Sequence, residues 1–331
     1  MPELDSAHPR AVVVGAGLMG GWHARYGTRQ GARLIAVVDR DVAAAERLAG
    51  RFGARALGAD ADWLGELRPE VVHVCTPWST HVELCRAALG AGASVIVEKP
   101  VADTLAASQE LAALAAARGL LIVPVHQFPF QAGFQRLRAR LATLGTLRSV
   151  EFVTFTAGAG ATQGAARRRI ALEILPHAVS LFHGLGFAIG AGDFALQRFT
   201  DDALELSWQR GPTRLSARID LCARPTCNEL RVAGDGGTAL ADLFHGYVTF
   251  DRAELGRASK LLRPFRASGK TLLSAGANLV GRTWRREPAY PGLGELLGRS
   301  YRALAQQGPP PIDPAEYCIA ADLTERLLTR Q

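Results

Sequence analysis

Short apolar blocks and longer segments of helical spacing alternate through residues 11–125. Runs at 11–14, 34–38, 54–57, 71–75, 94–97 and 120–125 predict strands. Between them, 41–52, 60–67, 80–89 and 104–118 predict helices, as does the segment after the first run. Thr80-His81-Val82-Glu83 fits a capping box, Pro69 stops the short helix before it, and Gly119 suits a helix C-cap. The strands are continuously apolar, not alternating, so both faces are covered. Joined by helices, they predict a doubly wound parallel sheet ending near Pro124.

Beyond that point the spacing changes. A helix is predicted over 133–144, with Phe134, Leu137 and Leu141 on one face. Strands follow at 150–156, 194–200, 204–209, 215–221, 229–232, 238–243 and 247–250, separated by glycine turns such as Gly234-Asp235-Gly236-Gly237. A helix at 170–185 interrupts them and another at 314–328 closes the chain after Pro309-Pro310-Pro311. The pattern is an α+β domain built on one large, mainly antiparallel open sheet. Its uncovered face predicts a homodimer or homotetramer. Residues 254–288 mix basic and apolar positions. A surface insertion packed on the sheet or on a partner subunit is the preferred reading, an amphipathic helix on a membrane the other. The division expected is 1–124, a nucleotide-binding domain, and 125–331, a substrate-binding and oligomerisation domain.

The strongest chemical signal joins the first two blocks. The run 11–14 leads into Gly15-Ala16-Gly17-Leu18-Met19-Gly20, then a helix-compatible segment, then a second run ending in Asp39 and Arg40. Gly15 permits the sharp turn out of the strand, Gly17 lets a pyrophosphate approach the main chain, and Gly20 lets helix and strand pack closely. Amides of the first helical turn, including Leu18 and Met19, would face the phosphates. Asp39 lies 19 residues past Gly20, placed to accept hydrogen bonds from the adenosine ribose. In a glycine-rich chain the glycine spacing alone is weak. The flanking strand and helix and the acid at the right distance make it a dinucleotide site. Asp39 favours NAD; Arg40 can pair a 2′-phosphate, which leaves NADP open.

Bulk properties narrow the rest. The chain has 331 residues, 48% of them hydrophobic, enough for two domains with sizeable cores. No transmembrane segment or signal peptide is expected. Five cysteines lack metal or redox spacing, which fits a reducing cytoplasm and no metal site. The net charge of +7 comes from scattered arginines without an aromatic-basic groove, so no nucleic-acid partner is expected. Lysine occurs only at Lys99, Lys260 and Lys270. Where charge alone is needed arginine serves, so each lysine invites a role that needs a compact, tunable ammonium.

Two stretches then carry a family resemblance. Val71-Val72-His73-Val74-Cys75-Thr76-Pro77, with Trp78, Thr80 and His81 after it, is an apolar strand into Thr-Pro with a histidine opening the next helix. Ala91-Gly92-Ala93-Ser94-Val95-Ile96-Val97-Glu98-Lys99-Pro100 is a strand ending in Glu-Lys-Pro. With the glycine motif, these resemble the GFO/IDH/MocA family (glucose–fructose oxidoreductase, inositol dehydrogenase and relatives), most closely over 11–121. The resemblance implies a Rossmann domain binding NAD or NADP. Thr76, Pro77, Trp78, His81 and Glu98 would lie on the cofactor side, and Lys99 beside the reacting carbon. A structural lysine paired with Glu98 is the plainer reading of Lys99. Glu173 and His177, four residues apart and on one helix face, are similar to the family's acid and general base. A core histidine or simple substrate binder is the plainer reading of His177. The chain departs from the family in having Glu173 where Asp is usual, Pro176 where Gly is common, and no arginine in 126–131.

The implied activity is hydride transfer between NAD(P) and a secondary alcohol or ketone of a sugar, cyclitol or related polyol. Two other activities keep the same fold: an NAD-dependent glycoside hydrolase acting by transient oxidation, and a non-enzymatic NAD-binding regulator. A regulator need not keep Lys99 and His177, which favours an enzyme.

Overall fold

The computed structural model describes residues 8–157, 160–253 and 257–329, with the backbone alone for 257–260. The first apolar run forms β1 (Arg10–Val14) and is followed by α1 (Leu18–Arg29), β2 (Arg33–Asp39), α2 (Val42–Gly50), β3 (Arg55–Gly58) and α3 (Trp63–Leu67). Then come β4 (Val71–Val74), α4 (His81–Gly90), β5 (Ser94–Val97), α5 (Leu105–Ala117) and β6 (Ile122–Pro124). The strands pair in the order β3-β2-β1-β4-β5-β6, all parallel. This is the doubly wound sheet the apolar runs predict. Successive valines alternate between two buried faces. Val12, Val72 and Val95 pack with Leu89 and Leu111 on one side, and Val13 and Val37 with Ala24 and Leu48 on the other.

Side chains cap several helices. Asp41 accepts from the Ala44 amide, Asp62 from Gly65 and Thr104 from Ala107, at 3.0–3.2 Å. The capping box expected at Thr80 and Glu83 does not form. Trp78–Thr80 is a separate 3-10 turn, and Thr80 Oγ1 sits 2.9 Å from the Pro77 carbonyl and 2.7 Å from Thr76 Oγ1 instead of capping α4. Gly119, at φ +64°, ends α5 as expected, its amide reaching back to Ala116.

Residues Gln127–Gly292 form a second unit. It contains α6 (Ala132–Ala139), β7 (Leu147–Phe155), α7 (Gly164–Gly184), β8 (Ala195–Phe199), β9 (Ala203–Arg210), β10 (Thr213–Asp220), β11 (Cys227–Gly234), β12 (Gly237–Asp242), β13 (Tyr247–Arg252) and α8 (Arg257–Trp284). Its seven-stranded sheet runs β13-β12-β11-β7-β10-β9-β8; only the β7–β10 pair is parallel among the described residues. One face is apolar, with Phe182 of α7 set edge-on against Trp208 of β9. The other face is charged and laced by pairs such as Arg218–Glu205 (3.3 Å) and Arg231–Glu229 (2.7 Å).

Three further features differ from the sequence reading. First, α7 starts at Gly164, six residues before the expected 170, because an alanine-arginine stretch propagates helix well despite its loop-like glycines. Second, the expected insertion at 254–288 is largely α8; residues 254–256 lie outside the described ones. Third, the first unit is Met1–His126 together with Leu293–Gln331, not 1–124 alone. It regains the chain through α9 (Leu293–Gln306), which the sequence reading missed, and α10 (Pro314–Thr329). Leu293, Leu296, Leu297 and Tyr301 form the buried stripe of α9, and the approach of Tyr301 to α1 needs Gly27, whose Cβ would lie 2.7 Å from the tyrosine oxygen. α10 is fastened by Glu325, which accepts from the Leu105 amide at 2.9 Å, and by Glu316, 2.5 Å from His126 Nδ1.

Candidate functional site

The strand order of the first unit reverses between β1 and β4, so their carboxyl ends open a crevice of the kind that binds nucleotides in open α/β sheets. The glycines occupy it in distinct ways. Gly15 adopts φ +100°, and a Cβ there would lie 2.6 Å from the Cys75 carbonyl oxygen. A Cβ on Gly20 would lie 1.8 Å from the Gly15 carbonyl oxygen. Both are therefore required by the fold itself. Gly17 is different: a Cβ on it would meet nothing within 4 Å. It is the N-cap of α1, no side chain caps the helix, and no acid sits in the first turn with Leu18 and Met19. The first amides of α1 thus face open space with the positive end of the helix dipole behind them. A dinucleotide pyrophosphate fits this arrangement.

Asp39 ends β2 and closes the glycine turn. Its Oδ2 accepts from the Ala16 amide at 2.6 Å and its Oδ1 from the Asp41 amide at 2.9 Å. Each carboxylate oxygen keeps a lone pair for a ribose hydroxyl. Arg40 beside it is exposed.

Two loops leave the neighbouring strands. Thr76, Pro77 and Trp78 follow β4, and Glu98, Lys99 and Pro100 follow β5. His81, 1% exposed, fastens one loop to the other: its Nε2 is 2.9 Å from the Thr76 carbonyl and its Nδ1 2.7 Å from that of Pro100. The main chain that carries Lys99 is held by this clamp. Glu98 turns inward, its Oε1 3.2 Å from His23 Nε2 on α1. Burial works to raise the Glu98 pKa; the His23 hydrogen bond and the nearby Lys99 charge outweigh it and hold the carboxyl below 4.5.

Behind Glu98 lies a polar chain that the sequence reading did not find. His23 Nδ1 is 2.9 Å from His73 Nδ1 on β4, and His73 Nε2 is 2.8 Å from Tyr301 Oη on α9. Burial, then the nearby His23, holds the His73 pKa well below 6.5, and burial pushes the Tyr301 hydroxyl well above 10. The available signal was His73 itself, a histidine amid valines in a fully buried strand.

In the second unit, His177 and Glu173 lie one turn apart on α7. His177 is buried with its ring 4.3 Å from that of Phe128, tilted by 31°. Glu173 is half-buried. Pro176 withholds an amide from the helix ladder just before His177, and Ser180 Oγ donates to the His177 carbonyl at 3.0 Å. Arg167 and Arg168, at the start of α7, pair with Asp202 (2.7 Å) and Asp201 (3.1 Å), an arrangement that anchors the helix start.

Known proteins align with this architecture. Residues 9–126 match the family model for the GFO_IDH_MocA oxidoreductase family, NAD-binding Rossmann fold. Inositol 2-dehydrogenase 3 of Saccharopolyspora erythraea is 34% identical over 132 residues, 39% of each chain. D-glucoside 3-dehydrogenase of Escherichia coli is 32% identical over 154 residues, 46% of this chain and 44% of that one. The aligned segments thus span less than half the length of these curated relatives. Over 97% of both chains the fold matches KijD10, a 3-ketoreductase from Actinomadura kijaniata solved with NADP and TDP-benzene, at a TM-score of 0.73 and 17% identity. Residues 9–126 are thus similar to the NAD-binding Rossmann domain of the GFO/IDH/MocA oxidoreductase family.

Proposed function

We propose that this chain is an NAD(P)-dependent dehydrogenase or reductase acting on a secondary alcohol or ketone of a sugar, cyclitol or related polyol. The observation that carries the reading is Lys99. It is half-buried, lies two residues past the carboxyl end of β5 in a domain that matches an NAD-binding family model, and is one of three lysines among 38 basic residues. The inositol and glucoside dehydrogenases among the similar proteins support the substrate class.

When bound, the nicotinamide supplies the hydride donor or acceptor. The α1 amides hold its pyrophosphate and Asp39 its ribose, which favours NAD; Arg40 leaves room for NADP. In oxidation, the Lys99 ammonium donates a hydrogen bond to the substrate oxygen and favours its alkoxide form. His177 takes the hydroxyl proton as the carbonyl forms, and in reduction returns it. Glu173, on the same face of α7, orients that exchange. The charged outer face of the second sheet is the proposed homo-oligomer interface; light scattering of the wild type and Arg218→Glu tests it, since the variant should dissociate.

The reaction is tested by incubating the chain with NAD or NADP and a panel of sugars and cyclitols while following reduced-cofactor absorbance. Stoichiometric cofactor reduction with one polyol class is expected. Hydrolysis of a nitrophenyl glycoside without net cofactor reduction would instead make the chain a glycosidase. Tight NAD binding with no turnover of either kind would make it a regulator.

A further inference from the structure

The long helix α8 is mounted with its polar side inward. Its contacts with its own unit run through Lys270, bonded to Asp251 (2.7 Å) and the Phe250 carbonyl (2.9 Å), and through Asn278 and Arg282, both bonded to the His245 carbonyl. Arg282 also reaches the carbonyls of Glu287 and Pro288. Ala267, Ser274, Asn278 and Arg282, all partly shielded, share this face. The large apolar residues point the other way. Leu261, Phe265, Leu272, Leu273, Val280 and Trp284 are 71–89% exposed. At about 100° per residue they fall within a sector of about 140°, opposite the docked face. Surface helices of water-soluble domains are oriented the other way, and monomers rarely expose contiguous apolar patches beyond roughly 300–600 Å².

Charge identifies what covers this face. Residues 257–286 contain eight basic side chains and no acidic one, enough to account for the whole +7 excess of the chain. A second copy seated on α8 would bring the same cationic segment against it and be repelled. An anionic lipid surface complements both features at once: acyl chains accept the leucines, Phe265 and Trp284, and headgroups accept the basic residues along the helix. Arg263 and Arg266 lie toward one edge of the apolar sector, and Arg285 and Arg286 follow Trp284 at the helix end. Among the described residues no helix is long and apolar enough to cross a bilayer, so the helix lies in the interface.

We infer that α8 is an in-plane anchor that docks this protein on anionic membranes. The inference is independent of the proposed reaction, and its test needs no turnover. The full chain is floated with vesicles of equal parts phosphatidylglycerol and phosphatidylcholine, and with phosphatidylcholine alone. Partition onto the anionic vesicles should be at least about tenfold higher and should fall with added salt. Leu272→Glu/Leu273→Glu should abolish flotation while thermal midpoint and NAD binding stay unchanged. Arg263→Glu/Arg266→Glu should lower anionic partition about tenfold or more and leave neutral partition alone. A wild-type chain that stays unbound on both vesicles overturns the inference, as does equal binding to both. If the wild type does not float and Leu272→Glu/Leu273→Glu turns a dimer into monomers, a second copy covers α8 and the lipid assignment is wrong.

Discussion

His23 Nδ1 lies 2.9 Å from His73 Nδ1, two ring nitrogens facing each other in the interior of the first domain. Only one of them can carry the shared hydrogen. The order that gives every group a partner runs one way: the Tyr301 hydroxyl donates to His73 Nε2, His73 Nδ1 to His23 Nδ1, and His23 Nε2 to Glu98. His73 is neutral in this order, and the chain ends on a carboxylate adjoining Lys99.

This order sets a pH dependence. Below about pH 6.5 the unfolded chain takes up a proton at position 73 that the folded chain, with its lowered pKa, does not. Stability from the neutral His73 is therefore complete above 6.5 and lost progressively as pH falls toward the folded value. Glu98 acts in the same direction lower down: its contribution is present above 4.5 and lost as pH falls through its lowered folded pKa. Urea midpoints should be level near neutrality and decline below about pH 6.5, more shallowly in His73→Gln. Equal slopes for wild type and variant would show that His73 is not held neutral.

Tyr301→Phe removes the hydroxyl and leaves the buried His73 Nε2 without its donor. The expected loss is about 1–3 kcal/mol in urea unfolding. Because Tyr301 reaches the site only through two histidines, NAD affinity should change little. A variant as stable as wild type would mean that the tyrosine packs against His73 without bonding it.

How legible these features were in the sequence depended on their range. The six parallel strands could be read because a strand buried on both faces must be continuously apolar, as 71–74 and 94–97 are. The seven strands of the second sheet were readable from alternation and glycine turns. What escaped were contacts made across large sequence separations. Tyr301 lies 228 residues from His73, and no local pattern joins them. The helix carrying it was hidden by Gly294 and Gly298, which lower helix propensity yet face Tyr26 and Gln30 where α9 packs on α1. The Thr80–Glu83 spacing matched a capping box, but the threonine hydroxyl bonds the Pro77 carbonyl and the Thr76 hydroxyl and caps no helix amide. Asp39 and the glycines stand at the carboxyl edge where the spacing put them. The roles of Lys99, Glu173 and His177 rest on the resemblance and on chemistry.

Gly17 and Gly20 separate ligand from fold. Alanine at 20 would place a methyl 1.8 Å from the Gly15 carbonyl oxygen, so Gly20→Ala should open the βα turn, lowering thermal stability and abolishing NAD binding together. Alanine at 17 meets nothing within 4 Å and keeps an ordinary backbone conformation (φ −72°, ψ −165°). Gly17→Ala should therefore unfold like wild type while NAD affinity drops by about tenfold or more, 1.4 kcal/mol, because the methyl occupies the pyrophosphate's line of approach. Calorimetric titration beside a thermal melt reads both. Unchanged affinity in Gly17→Ala would place the pyrophosphate elsewhere.

The chemical assignments predict losses of turnover without losses of cofactor. Lys99→Met removes the ammonium that favours the alkoxide, and His177→Gln removes the proton acceptor while keeping polarity on α7. Each should lower kcat by about 10²–10⁴ with NAD affinity near that of wild type. They differ in pH response. His177→Gln should flatten the acidic limb of kcat/KM, where a base must be deprotonated to work, and Lys99→Met should retain that limb at a reduced rate. Lys99→Arg keeps the charge but not the compact ammonium, so it should recover little of the lost rate. If His177→Gln keeps the acidic limb, the base lies elsewhere, and His177 reverts to a buried histidine stacked on Phe128.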